Sequence, residues 1–121
     1  MTLKELYDSI GADYDQARRV LRVEKLMDKH IRRFPTNDAV VRLIACRETM
    51  DPKELFEAAH ASKGLCANLG MVALSEKASA VAEEFRPGNA RTMSDDEVKA
   101  LLDEIEQLHD RAVAGINAYA Q

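Results

Sequence analysis

From Ser94 onward apolar residues recur at Val98, Leu101, Leu102, Ile105, Leu108, Ala112, Ile116 and Tyr119, in the three- and four-residue steps of one helical face. Ser94 and Glu97 stand ahead of them as a capping box, so this long helix has a defined start. Its single apolar stripe has to be covered by other elements, and the chain upstream supplies them. Asp51, Pro52 and Glu54 give an N-cap, a first-turn proline and an N3 acid for a helix over about residues 51–69, ending near Gly70. The run "MVALSEKASAVAEEF" continues with Leu74, Ala78, Val81 and Phe85 on one side, and "RPGNARTM" is the clearest turn in the chain. Asn37 caps a shorter segment through Val40, Leu43, Ile44 and Cys46, which gives way around Thr49 and Met50.

These signals predict an all-α protein, an antiparallel four-helix bundle with short additional N-terminal helices. An amphipathic segment from Thr2 to Ile10 stops at Gly11. Asp13 and Gln16 then open the run "DQARRVLRVEKLMDKHIRRF", which must stop before Pro35 and can break near Arg22 and Val23. Residues of about 1–35 are thus expected to form a helical cap on one end of a single domain spanning 1–121.

Bulk properties limit the partners. A formal net charge of -4 argues against nucleic acid or an anionic membrane as the main partner. Arg18, Arg22, Lys25, Lys29 and Arg32 would line up as a basic stripe if their region were one helix, although Glu24 and Asp28 intervene as on an ordinary solvated face. Two cysteines, Cys46 and Cys66, without zinc spacing or a secretion signal, suggest reduced thiols and a cytoplasmic location. No apolar run approaches the roughly 20 residues needed to span a bilayer. His30 and His109 are isolated and are expected to cap or decorate polar helix faces.

The segment "AAHASKGLCANLG" poses the functional question, because glycine inside a helix costs about 1 kcal/mol relative to alanine. At 100° per residue, Leu55, Ala58, Ser62, Leu65, Cys66 and Leu69 fall roughly 140° to 240° from His60 and form the expected core face. Phe56, Lys63, Gly64 and Ala67 lie within roughly 60° of it, with Lys53 and Glu57 nearby. His60 therefore points to solvent. Its surroundings, a phenylalanine, a glycine, an alanine and a lysine, suit a docking surface better than an ordinary solvated face. An imidazole has an ordinary pKa of about 6.5 and is a good nucleophile toward phosphorus. Lys63 can place positive charge near transferred oxygens, and Gly64 leaves the in-line approach open.

Those residues, "HASKGLCANLG", resemble the signature of the histidine-containing phosphotransfer (HPt) domain family: His, two residues, Lys-Gly, then small and apolar residues and a further Gly. The likeness extends to the "LKELYDSIGADYDQARRVL" opening and the long terminal helix, and so covers most of the chain. It implies a histidine phosphotransfer protein of a two-component phosphorelay. His60 would accept a phosphoryl group from the aspartyl phosphate of a response-regulator receiver domain and pass it to another receiver. Lys63 would be its electrostatic partner, Gly64 the clearance residue, and Phe56, Ala67 and Asn68 would belong to the binding face, Asn68 by positioning Lys63 or the helix end. The resemblance further implies a monomeric carrier rather than an autonomous kinase, with no ATP site, partnered by receiver domains and a hybrid histidine kinase. The chain would bind no cofactor or metal; the Mg ion belongs to the partner receiver. Ser62 departs from the family's apolar residue at its position and is expected to bond back to the Ala58 carbonyl.

Two other readings compete. A bundle that keeps the motif could serve as a non-catalytic docking module that binds receiver domains without turnover. A dimerising kinase bundle resembles a His followed by an acid, whereas Ala61 follows His60 and no Gly-rich nucleotide-binding stretch is present.

Overall fold

The structure, a computed structural model, describes residues 1–120. Among them are seven α-helices and no strand: α1 (Leu3–Ser9), α2 (Tyr14–Leu21), α3 (Glu24–Arg33), α4 (Ala39–Ala45), α5 (Pro52–Asn68), α6 (Val72–Phe85) and α7 (Asp95–Ala120), with a 3-10 turn at Phe34–Thr36. The expected capping bonds are present, except that Asp38 rather than Asn37 is the N-cap of α4 and Asn37 acts from the residue before it. Asp13 Oδ1 accepts from the Gln16 N–H at 3.0 Å, Asn37 Oδ1 from that of Ala39 at 2.9 Å, and Asp51 Oδ1 from those of Lys53 and Glu54 at 2.9 and 3.3 Å. Ser94 and Glu97 close the reciprocal box of α7 at 3.0 and 3.1 Å. Each satisfies amide groups that a helix start otherwise leaves unpaired.

Helices α4 to α7 form the bundle. The α5–α6 interface is the most extensive, and α4 and α7 close the ring on the other side. Polar ties fix the antiparallel registers: the Ser75 hydroxyl donates to the Lys63 carbonyl at 3.0 Å, Lys77 pairs with Glu104 at 2.9 Å, and Arg47 reaches Asp103 and Glu106. Inside the ring, Leu43, Leu55, Cys66, Val81, Leu102 and Ile105 are buried. Full burial of such a side chain is worth about 1.5–3 kcal/mol, which makes this seam the main stabilising feature.

The N-terminal helices cover the end where α7 outruns its neighbours. Arg111 donates to the Ser9 carbonyl at 2.9 Å, and α1 lies so close to Gly115 that a Cβ there would meet Ile10 Cγ2 at 2.4 Å. Helix α2 closes on the end of α5, where Gly70 adopts a φ of 75° and its carbonyl accepts from the Asp13 N–H at 2.7 Å. Helix α3 lies farther along α7, with Tyr119 donating to Asp28.

Three expectations change. The possible break at Arg22 is real: its φ of 74° and ψ of -43°, with Val23 N–H donating to the Leu21 carbonyl at 2.9 Å, make a γ-turn of the rare positive-φ kind. That turn divides Arg18 and Arg22 from Lys25, Lys29 and Arg32, so the five are exposed but form no continuous stripe on one helix. His109 is not on a polar face. It is buried, its ring centroid 5.5 Å from that of Phe34, with Nε2 lacking a partner among the described residues, because the 3-10 turn brings Phe34 over α7. Ser62 is wholly buried, and its hydroxyl makes no back-bond to Ala58 or any other described group.

Cys46 and Cys66 are both buried and unpaired, and burial pushes the Cys66 thiol up to about 12, which keeps it in the unreactive protonated form. No helix among the described residues is long and apolar enough to cross a membrane.

Candidate functional site

Helix α5 sits between α4 and α6, and that packing fixes which side faces out. Leu55, Ala59, Ser62, Cys66 and Leu69 are buried, a four-three-four-three seam. Ala58 and Leu65, expected in the core, are only half-buried and line a groove toward α4, while Ala59 takes their place inside. The expected core face was therefore centred too far toward α4. The cause is that two neighbours of unequal contact, not one diametrically opposite partner, cover this helix.

As a result His60 is exposed on the shoulder of α5 that borders α6. Phe56, one turn earlier, was expected to be exposed; it is half-buried and packs against the core. Its ring stacks on the His60 imidazole, with centroids 5.8 Å apart and planes 21° from parallel. Lys63 is half-buried one turn later, its carbonyl held by Ser75 of α6. Gly64 is exposed, and a Cβ there would meet no other atom within 4 Å. Close packing inside the chain is therefore not what requires a glycine at this point. Ala67 is half-buried another turn along, and Asn68 ends the helix exposed to solvent.

Two charged residues, Glu83 of α6 and Arg86 just past its C-terminal end, join this surface and were not anticipated. The Arg86 guanidinium carbon lies 5.5 Å from the centroid of the Phe56 ring, and Arg86 Nη2 binds Glu83 Oε1 at 2.6 Å. That guanidinium bond holds the Glu83 carboxyl below the ordinary carboxylate range, and the positive charge of Lys63 adds to the effect. The sequence contains a signal for both residues. In an antiparallel hairpin, positions roughly equidistant from the Gly70 turn face each other, which sets residues near 86 opposite residues near 56. Hydrophobic periodicity does not report such pairings, because both side chains are on the solvated margin.

The arrangement presents a nucleophilic ring in solvent, a stacked phenylalanine that limits its rotation, a neighbouring ammonium and unobstructed space on the following turn. Among the described residues no group of three His, Cys, Asp or Glu side chains is placed to hold a metal ion.

No curated protein and no solved structure matches the chain. The family model described as the Hpt domain matches residues 3–111, nearly the whole length. With its all-helical bundle and the motif on α5, the chain belongs to the Hpt domain family.

Proposed function

We propose that His60 is the phosphoryl-carrying residue of this Hpt domain, taking the group from the aspartyl phosphate of a response-regulator receiver domain and passing it to another. Hpt domains are histidine phosphotransfer modules of two-component systems that pair with receiver domains and kinases. The observation that carries the residue assignment is the open space at Gly64 beside an exposed His60.

The unprotonated ring nitrogen attacks phosphorus in line with the departing carboxylate, a geometry that needs donor, phosphorus and acceptor aligned with the reacting atoms about 3–3.5 Å apart. Phe56 restricts the imidazole to fewer orientations by stacking on it. Lys63 offsets negative charge on the equatorial oxygens as the group moves. Gly64, Ala67 and Asn68 form the rim on which the receiver settles, and Phe56 extends that rim toward α6. Magnesium is held by the receiver's own carboxylates, and in this reading no metal, cofactor or nucleotide is assigned to the described residues of the chain. The protein acts as a monomeric cytoplasmic carrier, supplied by a hybrid histidine kinase through its receiver.

The test is incubation with a phosphorylated receiver domain. Wild-type protein should acquire acid-labile, base-stable phosphate on His60, and His60→Gln should keep the fold and acquire none. Phosphate retained on that variant overturns the assignment. Receiver binding with no transfer to the wild-type protein would make it a docking module, and labelling by ATP alone would make it an autokinase.

A further inference from the structure

The Glu83–Arg86 pair stands at the margin of the candidate phosphorylation site and has no task in the mechanism described. Its position is specific. Arg86 binds Glu83 at 2.6 Å while lying over Phe56, the same ring that stacks on His60. Glu83, in the last turn of α6, is three residues before Arg86, which caps that helix, and both side chains remain about half exposed, at 54% and 41%. Lys63 approaches from the other direction, because long side chains on a helix lean toward its N-terminus and α5 runs antiparallel to α6. The guanidinium and, more weakly, the Lys63 charge both hold the Glu83 carboxyl low, on the surface that Phe56 shares with His60.

We infer that Glu83 is the resident counter-charge of the site: it holds Arg86, and shares the field of Lys63, until a phosphoryl group on His60 competes for both. This rests on His60 being the carrier residue. In the transfer, the phosphorus–oxygen bond to the receiver's aspartate breaks and a phosphorus–nitrogen bond to the imidazole forms. The bonding electron pair leaves with the carboxylate, the attacking pair comes from the ring nitrogen, and the proton on the other ring nitrogen stays in place. No oxidant or further reactant enters. The imidazole thereby gains a group bearing close to two negative charges, and Glu83 is the acid already bound to Arg86 that this group must outcompete.

Two consequences follow from charge alone. Glu83 disfavours phosphorylated His60 by direct repulsion and by occupying Arg86. Arg86 favours it, since its guanidinium can leave a single exposed carboxylate for a phosphoryl group that offers more oxygens and more charge. The pair therefore keeps the phosphoryl group transferable and prevents Lys63 and Arg86 together from trapping it.

The experiment phosphorylates the full chain with phosphoramidate, which requires no partner protein, and times the decay of phosphohistidine at low ionic strength. Glu83→Gln should lengthen the half-life about two- to five-fold, the range an exposed charge pair supports. Arg86→Gln should shorten it by a similar factor. Glu83→Asp, which keeps the charge, should stay close to wild type, and the difference between wild type and Glu83→Gln should shrink in about 1 M salt, where screening acts over roughly 3 Å. A Glu83→Gln decay equal to wild type, or a change that salt leaves untouched, overturns the inference while leaving His60 as carrier. Absence of label on wild-type His60, or equal label on His60→Gln, overturns the carrier reading and this inference with it.

Discussion

At the scale of single residues, Gly64 and Lys63 sit side by side, and the proposed mechanism gives them different tasks. Gly64→Gln places a side chain where nothing now stands within 4 Å, so the helix keeps its packing and gains helix propensity. The variant should melt at or slightly above the wild-type temperature and transfer phosphate at least about tenfold more slowly, the scale expected when a misplaced approach disturbs in-line alignment. Lys63→Ala leaves access open and removes a charge. Receiver affinity should stay near wild type while the transfer rate falls, which makes a rate without an affinity change its signature. If Gly64→Gln transfers at the wild-type rate, clearance is not the reason for the glycine. Phe56 fits neither pattern. Because it is half-buried, packs on the core and touches both His60 and Arg86, its truncation will affect stability and docking together.

At the scale of elements, the connection between α6 and α7 depends on one buried acid. Glu84 accepts hydrogen bonds from the Thr92 and Met93 backbone N–H groups, both at 2.7 Å, and from the Thr92 hydroxyl, while Arg91 pairs with it at 3.2 Å. The Met93 amide and the Thr92 hydroxyl are the main reasons its carboxyl lies at about 2 rather than 4.5. A carboxyl whose folded value is depressed stabilises the fold above its unfolded value and loses that contribution as pH falls toward the folded one. Glu84 should therefore contribute fully above about pH 5 and progressively less from there to about pH 2. Asp28 and Glu83 are also held low by their partners, so total acid sensitivity has several sources. The diagnostic quantity is the difference between wild type and Glu84→Gln in thermal melts. It should be largest near neutral pH and close over that acid window; a gap independent of pH would mean that the acid's charge is not what holds the loop.

At the scale of the whole molecule, α7 carries both the bundle and its cap. Its first part packs with α4 and α6, and its later part receives α1 and α3, with Gly115 leaving room for Ile10 at the end of α1. Gly115→Val would force α1 away from α7, since even a Cβ would meet Ile10 at 2.4 Å. Overpacking of this kind costs about 1–3 kcal/mol. The loss should appear as a lower melting temperature and faster amide exchange in α1, while α5 and phosphate uptake at His60 remain as in wild type. Equal exchange acceleration in α5 would show that the cap and the bundle unfold as one unit.

The sequence alone determined the helices and the motif, because both are local. Caps at Asp13, Asn37, Asp51 and Ser94, the proline at 52 and the apolar period of α7 act within a few residues of where they are written, and they appear as hydrogen bonds and buried stripes in those places. The spacing of His60, Lys63 and Gly64 is likewise legible without a fold. Tertiary structure decided what depends on a neighbour. It rotated the buried seam of α5 onto Ala59 and away from Ala58 and Leu65, since α4 and α6 press on that helix unequally. It buried His109 under Phe34 and left Ser62 without the expected back-bond. It also brought Glu83 and Arg86 to the edge of the site across a turn centred on Gly70. A helical wheel treats each helix as if one opposing surface covered it; a bundle covers it from two sides, and the charges that meet across the seam become neighbours only when the chain turns back.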